Sequence, residues 1–146
     1  MITEKHLSKL FDVMWPTMLH VHEHKQNCIN QLSTLNRFFA RNSKDHNQLL
    51  YDLMHLDGIK VTIASGLIWS VYPSRRVPFD KWTATHALEY GLIKTNNVSD
   101  DYVNISNRIN KFCKGYTINN KPFTITDFVR ESRTIEKYKE YLVEPV

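Results

Sequence analysis

Residues 56–69 read LDGIKVTIASGLIW, and their reading decides the fold. Upstream, Leu49, Leu50, Leu53 and Met54 recur at helical spacing until Asp57-Gly58 stops them. A second apolar run starts within three residues and lasts to about 72, before Pro73. Its β-branched residues would suit a strand. Its length and its small centre, Ala64-Ser65-Gly66, suit a closely packed helix better. The pattern over about 49–72 is therefore helix, glycine turn, helix. Glycine fits because so tight a reversal needs an unusual backbone angle. The second helix begins with N–H groups that lack intrahelical partners. Those groups and the helix dipole attract an anion, phosphate above all, and Lys60 adds positive charge beside the turn.

Outward from this stretch the chain reads as all-α. Thr3 and Glu4 start a helix carrying Leu7, Leu10, Phe11 and Met14, which Pro16 ends near Trp15. Leu19, Cys28, Leu32, Leu35, Phe38 and Phe39 form the apolar members of a second helical pattern, and Asn42-Ser43 resembles the next start signal. PSRRVPFD, 73–80, reads as a loop, with Asp80 at the N-cap of a helix over 80–92 that contains Trp82, Leu88 and Leu92. Trp15, Trp69 and Trp82 are assigned to the core. Ser99-Asp100-Asp101 opens a helix bearing Tyr102, Ile105, Ile109 and Phe112, which Gly115 stops. GYTINNKPF is the one place for a short hairpin, and Thr126-Asp127 opens a last helix to Leu142. The expectation is a compact bundle of six to seven helices forming a single domain over 1–146.

Composition narrows the function classes. Net charge is +4 and hydrophobic content 42%, so the chain is neither a polycationic tail nor disordered. Cys28 and Cys113 stand far apart without a CxxC context, which excludes an iron–sulfur or tetrahedral metal centre built on cysteine alone and suits a cytoplasmic setting. No signal peptide and no apolar run of membrane-spanning length is present, so no membrane partner is expected. No P-loop, GxSxG or HExxH occurs.

LDGIKVTIA resembles the helix-hairpin-helix motif, and VPFDKWTATHAL, 77–88, resembles the segment that follows it in the endonuclease III-like DNA glycosylases. The resemblance spans roughly 50–92. It implies that Gly58, Ile59, Lys60 and Thr62 contact a backbone phosphate of duplex DNA, and that Asp80 is the catalytic carboxylate for cleaving the N-glycosidic bond of a flipped base. Thr62 stands where bifunctional members carry a nucleophilic lysine, so the implied activity is monofunctional. No cofactor is implied. The residues alone leave Asp80 an equal role as helix cap. They also leave the whole chain an alternative, a non-catalytic module that binds DNA or a protein partner on a glycosylase-like scaffold.

Two further constellations carry chemistry. Arg75 and Arg76, between two prolines, suit phosphate contacts or a solvated loop. His20, His24 and Cys28, four apart, share a helix face that suits zinc, but with no clear fourth ligand the expectation is no metal. On the last helix Arg130, Arg133, Lys137 and Lys139 are interrupted by Glu131, Glu136 and Glu140, a mixed solvated face.

Overall fold

The structure, a computed structural model, describes residues 1–94 and 101–131. It is all-α: eight helices and one two-stranded hairpin occur among the described residues. The chain divides into two compact units, Met1–Lys60 and Val61–Val146.

The first unit holds α1 (Glu4–Met14), α2 (Val21–Asn30), α3 (Leu32–Arg41) and α4 (His46–Met54). Thr3 caps α1, its hydroxyl accepting from the His6 N–H at 3.1 Å. The side-chain amide of Asn36 on α3 clamps the chain's start, accepting from the Ile2 N–H at 2.8 Å and donating to the Ile2 carbonyl at 2.9 Å. The single helical pattern expected between Leu19 and Phe39 is two helices, interrupted at Gln31. Leu19 lies before them and is 77% exposed, whereas Cys28, Leu35 and Phe39 are buried. The start signal expected at Asn42-Ser43 is displaced as well. Asn42 ends α3, and Asp45 caps α4 by accepting from the Gln48 N–H at 3.1 Å. Asp52 on α4 gathers Arg41, Asn42 and Gln48 at 2.8–2.9 Å. Burial alone would raise its carboxyl, but those hydrogen bonds and the Arg41 charge prevail and hold it below the usual range.

The second unit holds α5 (Val61–Val71), α6 (Lys81–Glu89), α7 (Tyr102–Lys114), β1 (Thr117–Ile118), β2 (Lys121–Pro122) and α8 (Ile125–Glu131). The β-branched run is helical, and Ile63 to Ile68 are all buried. α6 is rotated from the expected face. Its buried residues are Thr83, Ala84, His86 and Ala87, while Trp82 is 51% exposed and Leu88 also faces solvent. Small residues let α6 pack closely, which turns the bulky Trp82 outward and corrects its assignment to the core. The hairpin turns at Asn119 and Asn120, both at positive φ, the geometry of a two-residue turn that asparagine tolerates. Thr124 and Asp127 form a reciprocal cap at the start of α8. The expected continuation of that helix to Leu142 lies outside the described residues, as do Arg133, Lys137 and Lys139.

Candidate functional site

The turn that closes the first unit is braced from α2. Gly58 sits at φ +71, where a side chain is strained. The Asp57 carbonyl accepts from the Asn27 side-chain amide and, at 3.0 Å, from that of Gln31. The Ile59 N–H donates back to the Leu56 carbonyl at 3.2 Å, and the Ile59 side chain is fully buried. Gly58 and Lys60 face solvent between these anchors. A buried isoleucine under the turn and two amides on its carbonyl fix the backbone of the exposed segment. Thr62 follows in the first turn of α5, in the second unit, and is half-buried.

In the second unit the expected loop is a buried strap. Arg76, Val77, Pro78, Phe79 and Asp80 are all buried. A buried segment must satisfy its backbone polar groups. Ser65 on α5 does so for one: its hydroxyl donates to the Val61 carbonyl at 2.6 Å and accepts from the Phe79 N–H at 2.7 Å. Tyr102 on α7 does so for another, its hydroxyl donating to the Val77 carbonyl at 2.6 Å. Burial drives the Tyr102 phenol well above its ordinary pKa.

The strap delivers Asp80 to the first position before α6. Asp80 is 4% exposed, and Oδ1 accepts from the Thr83 N–H at 2.8 Å. The carboxylate thus serves as a helix cap. Arg76, expected beside Arg75 for phosphate, is 8% exposed. Its guanidinium donates to the Arg75 carbonyl at 3.0 Å and to the Asn107 side-chain oxygen of α7 at 3.4 Å. Desolvation lowers its pKa, and the neighbouring Arg75 charge adds to the effect. Arg75 itself is exposed, its guanidinium 5.1 Å from the Tyr72 ring centroid.

The His20, His24 and Cys28 face is not assembled as a ligand set. His20 lies outside α2 at φ 57, 3.5 Å from Glu23, and Cys28 is buried with its thiol pushed up to about 12 by desolvation. Among the described residues no group of three His, Cys, Asp or Glu side chains has metal-binding geometry, and no helix is long and apolar enough to cross a membrane.

Ser65, Tyr102, Asn27 and Gln31 are the positions that sequence reasoning missed. Ser65 reads as a small packing residue and Tyr102 as an apolar-face residue. Each acts on a partner 14 to 30 residues away, a distance at which no local pattern signals a hydrogen bond.

The cap role makes one substitution pair informative. Asp80→Ala should cost about 1 kcal/mol of stability. Asp80→Asn should cost only a few tenths, roughly, because asparagine caps equally well. Urea denaturation of the two variants against the parent protein measures the difference.

No protein-family model matches the chain, and no curated protein or solved structure is significantly similar to it.

Proposed function

We propose that the protein binds duplex DNA through its sugar-phosphate backbone at the Asp57–Lys60 turn, and that it does so as a non-catalytic module. The braced turn carries this reading. Gly58 in a left-handed conformation, Ile59 buried beneath it and Lys60 exposed beside it give a braced, exposed edge on which the Lys60 ammonium stands near the Asp57 carboxylate. Such an edge recognises a phosphate oxygen and reads no base. Asp80 is committed to the α6 cap and is almost wholly buried, which favours a structural over a chemical role for it.

Fluorescence anisotropy with a labelled duplex at two salt concentrations tests the reading. For about three neutralised phosphates, a roughly fourfold rise in salt should weaken binding at least about 40-fold. Absence of binding at low salt overturns it. The non-catalytic part is tested separately, by assaying base release from duplexes carrying single damaged or mismatched bases. Release that disappears in Asp80→Asn, while that variant stays folded, would return Asp80 to the catalytic role.

A further inference from the structure

α7 presents a solvent face of one chemical kind. Its buried residues are Tyr102, Ile105, Ser106, Ile109 and Cys113. Its exposed residues are Asn104, Asn107, Arg108, Lys111 and Lys114. At 100° per residue these five fall within a single arc opposite the buried seam. All five are cationic or amide side chains, and the helix contains no carboxylate from Tyr102 to Lys114. Lys111 and Lys114 complement the negative end of the helix dipole, which accounts for their presence there. It does not account for Arg108 or for the two asparagines farther back.

The strap adds to this face. The Arg76 guanidinium nitrogen that donates to the Arg75 carbonyl also donates to Asn107. That shared contact ties the Arg75 backbone carbonyl to the middle of α7, while the exposed Arg75 guanidinium lies over the Tyr72 ring. Arg108 is oriented from the other side, donating to the Leu92 carbonyl at 2.8 Å. Arg108, Lys111 and Lys114 are thus spaced along one track, Arg108 anchored on a backbone carbonyl, without a carboxylate partner among the described contacts. From Asn104 to Lys114 the track runs about 15 Å.

We infer that Arg75 and the α7 face of Asn104, Asn107, Arg108, Lys111 and Lys114 form a second nucleic-acid contact, which lies along a phosphate backbone of duplex DNA. The inference deepens the DNA-binding reading and rests on it for the identity of the ligand. Charge complementarity selects a polyanion. The asparagine amides can donate to phosphate oxygens as well. The arc carries no apolar side chain to enter a lipid bilayer, so nucleic acid fits better than a membrane surface.

The test compares Lys111→Ala/Lys114→Ala and Lys60→Ala with the parent protein, measuring duplex affinity across a salt series. All three substituted side chains are exposed, and circular dichroism checks that each variant is folded. The double variant should lower the slope of log affinity against log salt by about 1.8, and Lys60→Ala by about 0.9. A double variant with the parental slope, beside a reduced slope for Lys60→Ala, overturns the α7 contact and leaves the turn's role intact. The reverse pattern supports α7 and overturns the turn. Loss of all duplex binding in the parent, with binding to vesicles of anionic phospholipid instead, overturns both.

Discussion

Lowering the pH from 7 to 4 should remove about 3 kcal/mol of stability through His86 alone. His86 is fully buried on the inner face of α6. Its ring meets Tyr90 edge-on at 5.1 Å and Phe128 at 4.8 Å. Desolvation in this surround lowers its pKa from 6.5 to about 4. The folded state therefore holds the neutral imidazole, while the unfolded chain takes up a proton below 6.5. Between those two values the unfolded state binds more protons, so stability falls with falling pH. The contribution is complete above 6.5 and exhausted near 4. The loss is a large share of the roughly 5–15 kcal/mol that holds a domain together.

Urea midpoints at pH 7, 6, 5 and 4 measure the effect. His86→Phe keeps the aromatic contacts and removes the titration, so its midpoint should vary much less across this window. His6 adds a smaller acid sensitivity of the same sign, since burial and the nearby N-terminal ammonium hold it below its ordinary value. The comparison with His86→Phe subtracts that. Asp52 acts in a separate window. Its carboxyl is held below the ordinary range, so its contribution is lost only as the pH falls below about 4. Parallel pH profiles for parent and variant would overturn the assignment to His86.

The same residue shows where sequence reading stops. α5 (Val61–Val71) is legible because length and small residues outweigh β-branching, and the N-caps at Thr3 and Asp80 are legible because capping is local. His86 sits in the sequence among polar and small residues, TATHAL, where a helix face is hard to phase. The two large apolar side chains, Trp82 and Leu88, stand about 120° apart around the helix and define no single face, whereas the small buried residues define the inner one. Only the position of Phe128, 42 residues on, makes the inner side of α6 the aromatic one. The candidate site divides in the same way. The glycine and the lysine of the turn are visible in LDGIK. The amides that hold the turn come from α2, and the hydroxyls that hold the strap come from α5 and α7. Arg75 and Arg76 look equivalent in sequence, yet one is solvent-facing and the other inserted toward Asn107.

Gly58→Val should cost about 3 kcal/mol and weaken duplex binding under conditions where the protein is still folded, lowering the salt slope by about 0.9, the share assigned to the turn. Two effects combine. At φ +71 a side chain is strained, by about 1–3 kcal/mol, and β-branching makes valine worse than alanine. A Cβ at this position also collides with the side-chain amide of Asn27. That amide is the far end of a flexible side chain, so it can withdraw, but in withdrawing it releases the Asp57 carbonyl. Losing that hydrogen bond costs about 1 kcal/mol, and Gln31 is left as the donor from α2. Gly91 separates the two effects. It has nearly the same angle, φ +67, with no described neighbour within 4 Å of a Cβ. Gly91→Ala should therefore show the strain alone, and Gly58→Ala should exceed it by about 1 kcal/mol. In an Asn27→Ala background that excess should vanish, a coupling that a double-mutant cycle measures directly. The DNA result follows from the same geometry. If Asp57–Lys60 must hold its shape to meet a phosphate, then Asn27→Ala, which leaves Gly58 and Lys60 untouched, should also weaken duplex binding. Unchanged binding by Asn27→Ala and Gly58→Ala together would mean that the turn's shape does not matter to DNA, and the contact would have to lie elsewhere on the protein.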